Sequence, residues 1–237
     1  MKLIFTPTNL KIGDGFSPSV SDQKHILKVL RLRKGDTIDG SDGGRRLKCE
    51  ITRANVKLEL TVTAVEALED RRKISLAIAR IDTARFSSAV SAAAQMAVRD
   101  IYSFGCVHAS RAPVAMDRLI RVARESAKQV GCPFLPALHN LPDISALADK
   151  IRGRPSFLLD PFAAKTLLES FPYEIDSSGL LLIVGPVGDF TDAEKQQLQA
   201  AGARPVQLCR EILRSETAAV VALGVTATCI QTSRQEL

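Results

Sequence analysis

Residues 180–190 read LLLIVGPVGDF, an aliphatic run that ends in a glycine-rich turn. Leu180 to Val184 are consecutive aliphatic residues, which is typical of a parallel strand buried on both faces. Gly185 and Gly188 follow in the turn, and glycine lets a ligand approach the backbone closely. Open α/β sheets bind ligands at such strand-to-helix turns. A tight turn without a ligand has the same sequence, so this stretch predicts the strand and leaves the ligand open.

The chain around this strand alternates between strand-like and helix-like segments. Short aliphatic runs such as ISLAIAR and PSFLLDP alternate with segments of helical pattern such as RLIRVARESAKQV and TDAEKQQLQAAG. Thr191 and Glu194 fit a capping box, which predicts that a helix begins after Thr191. The alternation predicts an α/β fold with a mostly parallel sheet covered by helices.

Residues 1–70 consist instead of short segments punctuated by turns, such as GDG at 13–15 and SDGG at 41–44. One exception, DQKHILKVLRL, has helical spacing after a possible cap at Ser21 or Asp22. The run VKLELTVTAV predicts a half-buried strand, and its expected inward residues are Val56, Leu58, Leu60, Val62 and Ala64. The charged segment 66–73 separates this part from the alternating strand-like and helix-like segments that follow. We therefore predict a small β-barrel or sandwich at residues 1–70 and an α/β domain at residues 74–237.

The formal charge of +6 is unevenly distributed along the chain. Residues 1–73 hold fifteen Lys or Arg against ten Asp or Glu, so most of the excess lies in the first part. A basic domain beside a nearly neutral one suggests an anionic partner for the first and a small molecule for the second. A merely solvated basic face has the same composition.

Several classes of protein are disfavoured by what the sequence lacks. It has no apolar run long enough for a membrane span and no signal peptide, so we expect a cytoplasmic protein without a membrane partner. The cysteines and histidines are not spaced as metal ligands, and no metal is expected. Dinucleotide-binding GxGxxG, phosphate-binding GxxxxGK[ST] and hydrolase GxSxG motifs are missing.

A second informative stretch is LCREILRSETAAVVAL at 208–223. Its latter half is a small and apolar segment that predicts a buried helix, with Ser215 as a possible cap. The charged residues at its start are Arg210, Glu211, Arg214 and Glu216. Charges so close to a core need either mutual pairing or a ligand, and both remain open.

Three motifs together resemble the RsmE family of 16S ribosomal RNA methyltransferases, which belongs to the SPOUT superfamily. They are HILKVLRLRKGDTIDGSDGG at 25–44, IVGPVGDFTDAE at 183–194 and LxxxILRSETA at 208–218. The resemblance covers nearly the whole chain, with the motifs in the family's order. It implies a PUA-like β-barrel that helps to bind RNA, followed by a trefoil-knotted α/β domain.

The resemblance also implies an activity and its partners. Members methylate N3 of a uridine in 16S rRNA with S-adenosylmethionine as cofactor, and act as homodimers. The expected partner is therefore 16S rRNA or the small ribosomal subunit. The alternative is a divergent member that binds RNA but has lost or changed the reaction.

Site residues follow from the same resemblance. Arg214 is expected to bind the target base or its phosphate, and Glu216 to orient it or remove a proton, although a carboxylate at a helix start also suits the helix dipole. The expected cofactor-binding residues are Leu159, Gly185, Pro186, Gly188, Leu208, Ile212, Leu213 and Thr217. The expected RNA-binding residues are Arg31, Arg33, Lys34, Arg45, Arg46 and Arg111.

The chain departs from the family pattern in and around these motifs. In the two C-terminal motifs, Val187 replaces a Glu, Asp189 and Cys209 each replace a Gly, and Glu211 replaces an Arg. Elsewhere the departures are Ala92 for Lys, Gln95 for Glu, Ala97 for Gly and Cys132 for Arg. We expect Cys209 to be poorly tolerated in a loop that wraps a cofactor closely, because a residue with a side chain adopts a positive φ only at a cost.

Overall fold

The structure is a computed structural model that describes residues 3–54, 57–172 and 175–233. The chain divides into two compact units. The first comprises Met1–Arg71 with Arg124–Leu135, and the second comprises Arg72–Ala123 with Pro136–Leu237. The loops at 185–190 and 208–214 both belong to the second unit.

A mixed five-stranded sheet in the order β1-β3-β4-β5-β2 forms the first unit. Its strands are Leu3–Phe5 (β1), Gly15–Phe16 (β2), Thr37–Ser41 (β3), Arg45–Ala54 (β4) and Leu58–Ala67 (β5). β1 and β3 are parallel, whereas the other neighbours are antiparallel. The unit is β-rich, as its short alternating segments predict.

A short helix, α1 (Val20–Lys24), precedes β3 and continues as a π-helical turn over His25–Val29. α1 begins after Ser19, whose hydroxyl accepts the N–H of Asp22 at 3.1 Å and donates to the carboxylate of Asp22 at 2.7 Å. The prediction of a cap at Ser21 or Asp22 is therefore wrong. Asp22 is the partner of the capping residue rather than the cap itself.

The inward face of β5 changes at a β-bulge. Three of the predicted inward residues are buried, namely Leu58, Leu60 and Val62. Ala64, however, is exposed, and that part of the prediction is wrong. Thr63 is an extra residue between two consecutive pairs of the β4–β5 ladder, so the alternation shifts by one residue and Val65 packs on the core instead. Val56 lies outside the described residues.

The second unit has a six-stranded sheet in the order β11-β9-β10-β6-β7-β8, and every pair of neighbours is parallel. Its strands are Ile74–Ala79 (β6), Asp100–Phe104 (β7), Ala137–Leu141 (β8), Ser156–Leu159 (β9), Leu180–Val184 (β10) and Ala203–Val206 (β11). The helices along this part of the chain are Thr83–Gln95 (α2), Met116–Val130 (α3), Ile144–Ile151 (α4), Asp192–Ala200 (α5) and Ser215–Ser233 (α6). The predicted parallel α/β architecture is confirmed.

β10 lies inside this sheet and is buried along its whole length. Leu180, Leu182 and Val184 pack into the core that contains α2 and α6. Leu181 and Ile183 face the opposite core, which contains α4 and α5. The strand is thus covered on both faces, which confirms the prediction from its unbroken aliphatic sequence.

Because the strands are parallel, their carboxyl ends lie at one edge of the sheet. β9, β10 and β11 are neighbours there, so the loops that follow Leu159, Val184 and Val206 come together. This edge is where the predicted site residues of the second unit are concentrated. Within the described residues, no helix has the length and apolar character needed to cross a membrane.

Candidate functional site

The loops after β9, β10 and β11 enclose a cavity of about 460 Å³. It is lined by 159–162 from the first loop, 184–189 from the second and most of 206–215 from the third, together with Arg85 and Ala218. A volume in this range is typical of small-molecule sites, which measure roughly 300–1,000 Å³. The carboxyl edge of the sheet therefore carries a ligand-sized cavity.

The loop after β10 is shaped by close contacts with Phe190. A Cβ atom on Gly185 would lie 3.0 Å from the ring of Phe190, so the ring packs closely only because residue 185 is glycine. Phe190 is buried and its ring stacks on that of Phe104, with centroids 6.1 Å apart. Gly188 and Asp189 both have a positive φ, at 97° and 65°. The tight turn is thus anchored at its end by a buried aromatic ring.

The predicted capping box is present at the start of α5. Thr191 Oγ1 accepts the N–H of Glu194, and the carboxylate of Glu194 accepts the N–H of Thr191 at 2.9 Å. The other oxygen of Glu194 accepts the N–H of Val107 at 2.8 Å. The cap therefore also holds the loop after β7.

Lys195 joins two of the loops that line the cavity. Its Nζ lies 2.7 Å from Asp189 Oδ2 and 3.1 Å from Asp160 Oδ2. Burial lowers the pKa of Lys195, but the two carboxylates outweigh burial and leave that pKa above its ordinary value. The ammonium group therefore stays charged and holds both acids. Asp189 is part of this ion-pair network, at a position where the resemblance to RsmE implies a glycine.

The loop after β11 is linked to the loop after β10 through Ser215. Its hydroxyl donates to the carbonyl oxygen of Gly185 at 2.8 Å. Ser215 is already the first residue of α6, so the prediction that it caps the helix is wrong. In the same loop, Cys209 is absent from the non-glycine residues with positive φ in the described chain. The expected backbone penalty at Cys209 therefore does not arise.

Glu216 lies beside Arg85, a cavity residue that the sequence analysis missed. The distance from Arg85 Nε to Glu216 Oε1 is 3.8 Å, and Asp82 Oδ2 lies 3.1 Å from the same Nε. Glu216 Oε2 is buried with no hydrogen-bond partner among the described residues. A carboxylate that approaches Arg85 so loosely leaves the guanidinium able to contact a ligand. The arginine carries no local signal, because only the packing of α2 on α6 brings it to the site.

Most of the predicted cofactor-binding residues line the cavity. These are Leu159, Gly185, Pro186, Gly188, Leu208, Ile212 and Leu213. Thr217 is the exception, since it is exposed on α6 and does not line the cavity. Arg214 lines the cavity, whereas Glu216 reaches it only through Arg85.

The predicted RNA-binding residues are divided between the two units. Arg31, Arg33, Lys34, Arg45 and Arg46 lie in the first unit, and Arg111 is an exposed residue of the second. Arg45 differs from the others because it pairs with Asp42 at 2.6 Å and donates to the carbonyl oxygen of Leu10. Burial acts to raise the pKa of Asp42, but hydrogen bonds from Arg45 and the backbone leave it below its usual value. Arg45 is therefore engaged within the fold, unlike its exposed neighbour Arg46.

Ala97, another expected glycine, occupies a glycine-like position at the end of α2. It has a φ of 53°. The N–H of Val98 donates to the carbonyl oxygen of Ala93, and that of Ala97 donates to Ala94. This bonding is a Schellman motif with Ala97 at the left-handed position, which glycine usually fills. The backbone at residue 97 is thus one that glycine adopts easily, although the residue is alanine.

Comparison with known proteins gives a consistent result. A family model described as an RNA methyltransferase domain matches residues 68–227. The ribosomal RNA small subunit methyltransferase E of Mycobacterium bovis is 27% identical over 230 residues, covering 89% of this chain and 84% of its own length. The enzyme of the same name from Bacillus subtilis is 23% identical and covers 92% of each chain.

Solved structures agree in fold. A ribosomal RNA small subunit methyltransferase E from Neisseria gonorrhoeae, bound to S-adenosyl methionine, superposes with a TM-score of 0.82 at 24% identity, covering 96% of this chain and 97% of that one. A methyltransferase from Legionella pneumophila, in complex with the same cofactor, gives a TM-score of 0.81 at 22% identity, covering 95% and 96%. At these identities the likeness concerns the fold.

Proposed function

The chain belongs to the RNA methyltransferase family, and we propose that it transfers a methyl group from S-adenosylmethionine to N3 of a uridine in 16S rRNA. The observation that carries this proposal is the cavity at the carboxyl edge of the sheet, whose lining includes both C-terminal motifs that resemble RsmE. The curated relatives named above act on small-subunit ribosomal RNA by name. The substrate would be free 16S rRNA or the assembled small subunit.

The cavity has properties that suit this cofactor. Leu159, Val184 and Leu208 provide apolar walls for a flat purine ring, and Gly188 lies in the same lining, where its backbone would approach the ring edge closely. Glu211 lines the same cavity and would supply negative charge near a sulfonium and an ammonium group, whereas Asp160 and Asp189 are already paired with Lys195. The cofactor supplies an electrophilic methyl group when it is bound.

The residues of the chain would then position the base. Transfer to a ring nitrogen is an in-line displacement, so the geometry of approach and removal of the N3 proton decide the rate. Arg214, exposed on the cavity lining, would bind the target base or its phosphate. We assign Glu216 a positioning role, because it lies outside the lining and contacts Arg85, which is part of it.

The departures from the family pattern leave the cavity formed. Cys209 has no positive φ, and Asp189 adopts the glycine-like backbone while pairing with Lys195. An active enzyme is therefore favoured over a divergent member that only binds RNA. The proposal also includes the family's PUA-like barrel for the basic first unit and its trefoil knot for the loops around the cavity.

A homodimer is the third inherited feature of the proposal. From Thr217 to Ser233, α6 has no charged residue. One of its faces exposes Thr217, Val220, Val221 and Thr228. An uncharged, partly apolar helix face of this kind suits contact with a second copy. Because the substrate is ribosomal RNA, we propose a cytoplasmic location.

Calorimetric titration with S-adenosylmethionine and a methylation assay test the proposal. Small subunits purified from cells that lack the gene would be incubated with protein and cofactor, and their RNA nucleosides analysed by mass spectrometry. We expect binding and the appearance of 3-methyluridine. An absence of binding heat at millimolar cofactor, or an unchanged nucleoside profile, would contradict the proposal.

A further inference from the structure

Three large apolar side chains are exposed around the mouth of the cavity. Phe162 is 78% exposed, Ile212 73% and Val187 60%, and all three line the cavity. They come from the three loops that follow β9, β11 and β10. A single exposed apolar residue is ordinary, but a cluster around one opening marks a surface that meets a ligand. We refer to Phe162, Val187 and Ile212 as the apolar rim.

The backbone under Phe162 is fixed although its ring is exposed. Asp160 Oδ1 accepts the N–H of Phe162 at 2.9 Å, and Asp160 Oδ2 accepts from Lys195 at 3.1 Å. The side chain of Gln207 donates to the carbonyl oxygen of Pro161 at 2.6 Å. A ring carried on such a turn loses little conformational freedom when a ligand contacts it. The arrangement is that of a preorganised contact surface rather than of a loose loop.

The charges around the rim favour an anionic chain with flat apolar groups. Lys195 compensates Asp160 and Asp189, as described above. Arg85 is also compensated, because Asp82 and Glu216 lie 3.1 Å and 3.8 Å from its Nε. Arg214 and Glu211 are then the lining charges that have no ion pair within the described residues. A guanidinium beside apolar surface suits a nucleotide, whose phosphate meets Arg214 while its base covers the apolar groups.

We propose that the apolar rim is the seat of the target base, and that Phe162 stacks on an unpaired nucleobase of the RNA as that base enters the cavity. This inference rests on the proposed function and adds the residue that recognises the base. A base inside a duplex cannot reach a cavity at the edge of a sheet, so it has to be unpaired or flipped out. Stacking on an aromatic ring offsets part of that cost.

The absence of tryptophan from the chain allows a direct test. In F162W, the only tryptophan reports on stacking through its fluorescence. We expect quenching by an oligouridylate of about ten nucleotides, a length within the usual single-strand site size, and no quenching by an abasic strand of the same length. L168W is the matched control, because Leu168 is 67% exposed but does not line the cavity. Its fluorescence should be insensitive to both strands.

A second measurement uses F162A with small ribosomal subunits as substrate. We expect the KM for the subunits to rise about tenfold, which corresponds to the loss of one stacked base, while the dissociation constant of S-adenosylmethionine stays within about twofold. L168A should behave as the wild type, and F162Y should restore most of the affinity. Wild-type KM in F162A would overturn the inference. So would a loss of cofactor affinity, which would place Phe162 in the cofactor seat, or a change in oligomeric state, which would show that a second copy covers the rim.

The two proposals fail in different ways. If the wild type neither binds cofactor nor methylates small subunits, the proposed function fails. If the wild type methylates RNA while F162W is not quenched by oligouridylate and F162A keeps its KM, only the assignment of the rim fails.

Discussion

The hydroxyl of Ser215 donates a 2.8 Å hydrogen bond to the carbonyl oxygen of Gly185, and this contact joins the two loops that resemble the RsmE motifs. Ser215 is buried, so the carbonyl oxygen has little access to water when the hydroxyl is removed. We expect S215A to lower the free energy of unfolding by about 1–2 kcal/mol and to weaken cofactor binding. Urea unfolding and calorimetric titration measure the two effects.

The matched control for this change is S88A. Ser88 donates to the carbonyl oxygen of Ala84 on α2, is exposed and does not line the cavity. Its removal should change the unfolding free energy by less than about 0.5 kcal/mol and leave titration unchanged. Equal effects of the two substitutions would show that the Ser215 contact has no special role.

Replacement of the alanine at the end of α2 by glycine is expected to stabilise the fold. Ala97 holds a left-handed backbone at the position of a Schellman motif that favours glycine, so A97G removes a steric cost. We expect a gain of about 1 kcal/mol in unfolding free energy. A92G is the control, because Ala92 lies within α2 and glycine there should cost about 1 kcal/mol. A destabilised A97G would contradict the backbone assignment.

We expect the substitution R214A to lower methyltransferase activity without weakening cofactor binding. Because its guanidinium is exposed on the cavity lining, R214A should remove a charge-assisted contact with the RNA and lower kcat/KM by about 10- to 100-fold. Arg210 lies in the same loop and is exposed outside the lining. R210A should therefore methylate close to the wild-type rate. Normal methylation by R214A would exclude the role that we give to Arg214.

The lowered pKa of Asp100 leads us to expect that the stability of the fold decreases at acidic pH. Burial acts to raise its pKa, but hydrogen bonds from His139, Arg99 and Ser75 leave that pKa below its usual value. The folded chain therefore binds this proton less readily than the unfolded chain does. The stabilisation is present above the ordinary aspartate pKa and is lost as pH falls through the lowered pKa.

Melting temperatures measured between neutral and acidic pH test this effect. D100N should be less stable than the wild type at neutral pH and should lose less stability on acidification below about pH 4. D149N is the control, because Asp149 pairs with Arg152 on an exposed surface, where ion pairs contribute little. Parallel acid profiles for the wild type and D100N would show that Asp100 does not make this contribution.

Local patterns predict much of this fold, because the signals that define strands and caps are local. The unbroken aliphatic run of β10 and the capping box at Thr191 each depend on neighbouring residues alone. α4 carries a local signal as well, since Asp143 caps it and Ile144, Leu147 and Ile151 recur at helical spacing. β8 has a weaker sequence signal, because it is an edge strand with partly exposed residues.

The features that were missed depend on contacts between distant segments. The extra residue Thr63 in β5 is visible only from its pairing with β4. Arg85 reaches the cavity because α2 packs on α6, and Lys195 joins two loops that follow different strands. Arg124–Leu135 belongs to the first unit although it lies in the middle of the chain. No periodicity within a window of residues contains this information.

The two hydrogen bonds of the Glu194 carboxylate restrict which residues can replace Glu194. One of its oxygens accepts the N–H of Thr191 and the other accepts the N–H of Val107. Capping boxes elsewhere contain either glutamine or glutamate at this position. In this chain, the NH₂ group of a glutamine would face the N–H of either Thr191 or Val107, and two donors cannot form a hydrogen bond. Sequence libraries built on this scaffold must therefore keep glutamate at residue 194, and any redesign of the loop at Val107 must keep its N–H within reach of that carboxylate.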